Sequence, residues 1–155
     1  MNVANFLAIN SPAGRLTLAS DGSALTGLHY GERVYPRALN EPDNIISSAV
    51  LQLDEYFKGI RTVFNIPIMP QGTEFQRRVW NALTEIDYGK TRTYGEIAAA
   101  IGNPKAARAV GLANNKNPIS IIVPCHRVVG ANGRLVGYAG GLETKSFLLE
   151  LEKAL

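Results

Sequence analysis

The chain has 155 residues, of which 46% are hydrophobic and 19% charged, and its formal net charge is +3. That is enough chain for one ordinary domain, or two small ones sharing a core, folding as a soluble globule. No apolar run approaches the roughly 20 residues of a bilayer span, and a single cysteine, Cys125, excludes an internal disulfide and suits a reducing, intracellular compartment.

The start, Met1 to Phe6, lacks the basic region and long apolar core of a secretory signal. The first 30 residues read as a β-meander. Phe6 to Ile9 is apolar, Ser11-Pro12-Ala13-Gly14 turns, Leu16 to Ala19 alternates, and Asp21-Gly22 turns again before Ala24 to Leu28. A helix is expected after Glu41-Pro42-Asp43-Asn44, with Ile45, Val50, Leu53, Tyr56 and Phe57 near one face and Gly59 at its end. Val63 to Ile68 looks extended, and Met69 to Gly72 is the natural linker.

The second half is mostly helical. Thr73-x-x-Gln76 has the form of a capping box, followed by Phe75, Val79, Leu83 and Ile86 at helical spacing. A second box, Thr93-x-x-Glu96, opens a short helix carrying Ile97 and Ile101. Gly102 ends it, and Asn103-Pro104 is expected to start the next with a cap and a first-turn proline, which makes a helix-turn-helix. On that next helix Ala106, Ala109, Val110 and Ala113 form the apolar stripe. Arg108 projects from the other side, flanked by Ala107 and Gly111, whose small side chains would let a phosphate backbone approach. Leu112 also falls outward. Ile119 to Val123 reads as a buried strand delivering Pro124-Cys125 to its end. Gly137 to Gly141 is a glycine-rich loop without the Lys-Ser/Thr of a nucleotide cradle. A closing helix carries Phe147, Leu148, Leu151 and Leu155.

From Lys90 to Arg134 the chain has seven Lys or Arg and one acid, Glu96, while the remainder is net acidic. A basic face of this kind attracts polyanions. Inside it lies Cys125, followed by His126 and Arg127. A lone cysteine is more often inert and buried than catalytic, but an adjoining imidazole and guanidinium can both favour the reactive thiolate.

The chain resembles the O6-alkylguanine-DNA alkyltransferases, most strongly from Thr73 to Glu152. The resemblance rests on Pro124-Cys125-His126-Arg127-Val128 preceded by Asn117-Pro118, on Ala106-Ala107-Arg108-Ala109-Val110-Gly111, and on Gly137-Tyr138-x-Gly140-Gly141. The N-terminal half matches more loosely, through Ser11-Pro12-x-Gly14-x-Leu16 and Leu53 to Phe57. The expected fold class is α/β (α+β). A small N-terminal β-sheet-plus-helix domain over 1–70 is followed by a mainly helical, winged-helix-like domain with a helix-turn-helix over 71–155.

The resemblance implies an irreversible, single-turnover transfer of an alkyl group from O6-alkylguanine, and from O4-alkylthymine, in DNA to Cys125. It makes His126 the water-bridged base and Glu152 its orienting partner, chosen over Glu150 by the family's Leu-Leu-x-x-Glu pattern. Tyr94 would donate to the guanine ring, and Asn117 would brace the active-site turn. Val128 would offer a carbonyl to the base, Tyr138 and Ala139 would cover the pocket, and Ser120 would line its wall. Many relatives carry serine in place of Ala139. Arg108 would fill the stack behind a flipped nucleotide, with Ala107, Gly111, Thr93 and Lys105 as further contacts in the minor groove. No cofactor, membrane or obligate protein partner is implied. With only His29 and His126 and no spare cysteine, a four-ligand zinc site is not expected. The alternatives are a non-enzymatic sensor of alkylated bases, a Cys-His hydrolase and a transcription factor. Cys125 argues against the first, the adjacency of Cys125 and His126 against the second, and the Pro-Cys-His-Arg segment against the third.

Overall fold

A computed structural model describes residues 2–154. Leu155, assigned by spacing to the closing helix, lies outside the described residues, as does Met1. The chain divides between Gln71 and Gly72 into two compact units.

The first unit is an antiparallel meander of β1 (Asn5–Ser11), β2 (Gly14–Ser20) and β3 (Leu25–Tyr30), in the order β1-β2-β3. Leu7 pairs with Leu18 and Leu18 with Leu28, and the β2–β3 register shifts at Ala19/Ser20. The β1–β2 turn depends on Gly14, whose φ of 96° is left-handed. Helix α1 (Asn44–Phe57) packs on β1 and β2. Its N-cap is Asp43, which accepts from the Ile46 amide at 2.9 Å and from the Ser20 hydroxyl at 2.6 Å.

The buried face of α1 is Ile46, Ala49, Gln52, Leu53 and Tyr56, so the expected stripe is displaced, with Ile45, Val50 and Phe57 only half-buried. Adjacent apolar residues at each turn made the face ambiguous from spacing alone. The segment 63–68 is not a ladder strand. Its one bridge is Ile68 to Leu25, because Pro67 has no N–H to give. Buried Gln52 holds the segment instead, accepting from the Asn65 amide at 2.8 Å and donating to its carbonyl at 3.1 Å.

The second unit contains α2 (Glu74–Thr84), α3 (Tyr94–Ala100), α4 (Ala107–Asn115) and α5 (Leu142–Leu151). Both expected capping boxes are formed, Thr73 with Gln76 and Thr93 with Glu96. Helices α2, α3 and α4 pack together around Val79, Trp80, Leu83, Ile97 and Val110, and the Trp80 indole donates to the Ala113 carbonyl at 2.9 Å. Two short strands, β4 (Arg92–Thr93) and β5 (Val128–Val129), pair in parallel.

Four expectations fail here. Helix α4 begins at Ala107 behind Ala106, with no side-chain cap. Asn103-Pro104-Lys105-Ala106 is a separate turn closed by the Ala106 amide on the Asn103 carbonyl at 2.9 Å, since proline suits the second position of a turn as well as a helix start. The buried face of α4 is Val110, Ala113 and Asn114, while Ala109 is exposed. The 119–123 segment is buried but is a turn, not a strand. The Ile122 amide bonds Ser120 O at 2.8 Å and the Val123 amide bonds Ile119 O at 3.0 Å. Ile121 stands at φ 72°, strained for a β-branched residue. Finally, α5 buries Lys145, Leu148 and Leu149, with Phe147 and Leu151 half-buried. Among the described residues no helix is long and apolar enough to cross a membrane, and none form a metal-binding cluster.

Candidate active site

Cys125 opens a 3-10 turn, Cys125–Arg127, and is 2% exposed. The chain arrives there through the 119–124 turn, which Asn117 braces. Its amide nitrogen donates to the Val123 carbonyl at 2.8 Å and to that of Ile119 at 3.4 Å, and its oxygen accepts from the Ile119 amide at 3.0 Å. Asn114 on α4 donates to the Cys125 carbonyl at 3.3 Å. Burial pushes the Cys125 thiol above its ordinary range; hydrogen bonds from the side chains of Asn117 and Tyr138, the charge of Lys145 and the residue's own backbone amide oppose that rise.

His126 is fully buried, with Nε2 2.7 Å from Glu152 Oε2. Burial holds its pKa below the usual value, against the pull of Glu152. The ring is therefore neutral, and the tautomer that satisfies Glu152 puts the proton on Nε2. Nδ1 is then a bare acceptor, and it has no hydrogen-bond partner among the described residues. Glu152 sits at the C-cap of α5 and also accepts Arg127 in a two-point grip, Nε to Oε1 at 2.8 Å and Nη2 to Oε2 at 3.2 Å. The third guanidinium contact is the Ile86 carbonyl at 2.6 Å, and the Tyr88 ring lies 5.8 Å below. Glu150, the alternative acid, is exposed and accepts from the Ser146 hydroxyl at 3.5 Å.

Two family models cover the two units. The 6-O-methylguanine DNA methyltransferase DNA binding domain matches residues 74–154, and the ribonuclease-like domain of the same family matches 7–70. The chain belongs to the 6-O-methylguanine DNA methyltransferase family. A methylated-DNA–protein-cysteine methyltransferase of Methanosarcina acetivorans is 56% identical over 146 residues, covering 92% of this chain and 94% of that one. The Mycobacterium tuberculosis counterpart is 55% identical over 153 residues, covering 97% and 93%. Among solved structures, Mycobacterium tuberculosis OGT in complex with DNA matches with a TM-score of 0.91 at 54% identity, over 97% of this chain and 94% of that chain. The expected family and the α+β architecture, a small sheet domain followed by a helical one, are both found.

In this family member the remaining expected site residues lie in two regions, around Cys125 and along α3 and α4. Tyr94 is half-buried at the start of α3 and donates to the Val136 carbonyl at 3.2 Å; burial, and then the charge of Cys125, raise its pKa. Tyr138 lies beside Cys125, Ala139 is exposed in the same loop, Ser120 is buried in the braced turn, and Val128 is buried in β5 opposite Arg92. Arg108 is exposed on α4 with Leu112, which is 66% exposed, one turn further on. Ala107 and Gly111 are half-buried, and a Cβ at Gly111 would meet the Tyr94 ring at 3.8 Å. Thr93 spends its hydroxyl on the α3 cap, and Lys105 is exposed in the α3–α4 turn.

Two features escaped sequence reasoning. Arg127 was expected to favour the thiolate, but its guanidinium is committed to Glu152. The positive charge that acts on the sulfur is Lys145, a residue the helical stripe omitted. The signal for Arg127 was its place beside His126; for Lys145 no local signal exists.

Proposed function

We propose that this chain removes alkyl groups from O6-alkylguanine, and from O4-alkylthymine, in double-stranded DNA by transferring them irreversibly to Cys125. The observation that carries this reading is a buried cysteine next to a neutral His126 whose Nε2 is tied to Glu152 and whose buried Nδ1 has no hydrogen-bond partner among the described residues. His126 Nδ1 takes the thiol proton through a bridging water, and Glu152 steadies the imidazolium that forms. The thiolate attacks the alkyl carbon, the S–C bond forms, and the C–O6 bond breaks. The departing purine accepts a hydrogen bond or proton from Tyr94, whose raised pKa keeps it protonated. The thioether does not exchange, so each molecule acts once.

The lesion lies inside the duplex and the nucleotide must be rotated out. Arg108, exposed on α4, fills the vacated place from the minor groove, with Ala107 and Gly111 admitting the backbone and Thr93 and Lys105 contacting it. Val128, Tyr138, Ala139 and Ser120 line the pocket that receives the base, while Asn117 fixes the turn that presents the sulfur. Phosphate contacts from the basic stretch make binding salt-sensitive and indifferent to sequence. The nucleophile must stay reduced, which fits a reducing, intracellular compartment. No cofactor or second protein takes part in these steps.

The test is mass analysis of peptides after incubation with duplex containing O6-methylguanine. One added methyl on the Cys125 peptide, with the reaction stopping at one equivalent, is the expected result. Binding without an adduct would mark a sensor, and repeated turnover a hydrolase. Cys125→Ala should abolish transfer and leave DNA binding intact. Arg108→Ala should slow transfer from duplex by about tenfold while sparing the free base, the lower end of what unstacking a nucleotide costs.

A further inference from the structure

Leu112 is left without a task by the chemistry proposed above. It is 66% exposed, ahead of Leu142 at 47%, and is the most exposed large apolar side chain among the described residues of the second unit. A single surface leucine is ordinarily unremarked, but the setting of this one is unusual. It stands on α4 four residues after Arg108, about 40° away around the helix at roughly 100° per residue. Asn115 falls about 20° to the other side of Arg108 by the same spacing. All three are exposed, whereas Val110, Ala113 and Asn114 are buried on the opposite side of α4. Arg108, Leu112 and Asn115 therefore form one solvent-facing strip. The chain around it is positive: no Asp or Glu occurs between Glu96 and Glu143, while Lys105, Arg108, Lys116 and Arg134 are exposed there. A partner that suits this strip carries negative charge on either side of a surface an apolar group can enter. The minor groove of duplex DNA has that make-up, with phosphates along both walls and base edges between them.

We propose that Leu112 is a specificity-determining residue for the DNA substrate: it packs into the minor groove beside Arg108 and disfavours base pairs that present the guanine N2 amine there. The idea rests on the minor-groove binding of the proposed function and adds a preference that phosphate contacts cannot supply. In the minor groove A·T and T·A pairs show only acceptors, whereas G·C adds the guanine amine. That amine stands out from the groove floor and keeps one hydrogen for water. A leucine over it strips the water, returns no acceptor and is held off the floor. Over A·T the same side chain reaches the floor and sheds its own exposed surface. Leucine is also among the residues that wedge into base steps from this groove. Lesions flanked by A·T pairs are therefore engaged more readily than lesions flanked by G·C pairs.

The test is fluorescence anisotropy with three undamaged duplexes of equal length, alternating dG–dC, dI–dC and dA–dT, at the same salt. Uniform duplexes present the same floor in every register, and inosine differs from guanine only in lacking the N2 amine. The wild-type protein should bind dI–dC and dA–dT about fivefold tighter than dG–dC, the low end of what an unmet buried donor costs. Leu112→Ala should erase that preference by weakening dI–dC and dA–dT, with the slope of log affinity against log salt unchanged because no phosphate contact is lost. Leu112→Met, apolar and of similar size, should keep the preference. Alanine is a strong helix former, so the exposed position on α4 tolerates the change, which circular dichroism verifies. A preference that survives in Leu112→Ala belongs to the DNA or to other residues and overturns the proposal. So does a wild-type protein with no preference, or an equal weakening on all three duplexes. Unchanged affinities with altered self-association in sedimentation would make Leu112 a contact between copies, and would overturn it too. None of these readouts needs transfer. A wild-type protein that discriminates against the amine but forms no adduct on Cys125 would sink the alkyltransferase reading and leave the role of Leu112 standing.

Discussion

Asn117 illustrates how a single side chain sets up the chemistry. The turn that presents Cys125 is buried, so its peptide groups have no water to satisfy them. The carboxamide supplies the missing partners, accepting from the Ile119 amide at 3.0 Å and donating to the Val123 carbonyl at 2.8 Å. It thereby holds a backbone that includes Ile121 at φ 72°, a conformation costing an L-residue about 1–2 kcal/mol. Asn117→Ala would strand one buried donor and one buried acceptor, each worth about 1–3 kcal/mol. The expected loss is about 2–4 kcal/mol, read from urea unfolding, and a drop below about 1 kcal/mol would mean that the turn stands without its brace. Asn117→Asp keeps the acceptor and loses the donor, so it should rescue only part of the loss.

At the scale of elements, the sequence was readable where the determinants are local. Thr73–Gln76 and Thr93–Glu96 announce α2 and α3 because a capping box is complete within four residues. The β-meander shows through alternation and its turn residues for the same reason. The start of α4 was hidden, since Ala106 offers no cap and Asn103-Pro104 imitates one. The run 119–123 was misread because burial makes a turn as apolar as a strand, and what decides between them is an Asn117 side chain outside the run. Cys125, His126 and Glu152 were legible through the family pattern, whereas the burial of Lys145 depends on carbonyls that only folding brings near it. Gly72 makes a similar point about tertiary fit. A Cβ there would lie 2.4 Å from the Trp80 ring and 2.6 Å from Gln76 Oε1. Trp80 cannot easily yield, being 2% exposed and hydrogen-bonded to Ala113. Gly72→Ala should therefore destabilise the second unit by about 1–3 kcal/mol. The change in Trp80 fluorescence on unfolding would report it, and an unshifted midpoint would show that the helix entry can move aside.

For the whole molecule the two histidines set the response to acid, one in each unit. His29 is held at about 4 by burial and by the Arg33 guanidinium that bonds its Nε2 at 3.1 Å. His126 is pushed below its ordinary value by burial. Both folded-state values lie below the unfolded value of about 6.5, so the unfolded chain binds more protons as the pH falls through that value. Stability is therefore undiminished above about pH 6.5 and declines below it, until each folded group protonates in turn; for His29 that limit lies near 4. At pH 5 His29 should cost on the order of 1 kcal/mol, and His126 acts in the same direction. Thermal unfolding at pH 7 and pH 5 reads the effect. His29→Gln and His126→Gln should each shrink the difference in Tm between the two conditions, whatever they do to Tm at pH 7, and the double variant should shrink it further. Such variants remove a titrating group and leave the carboxylates alone. If the Tm difference stays at its wild-type size in the double variant, carboxylate protonation governs the acid response and the buried histidines do not.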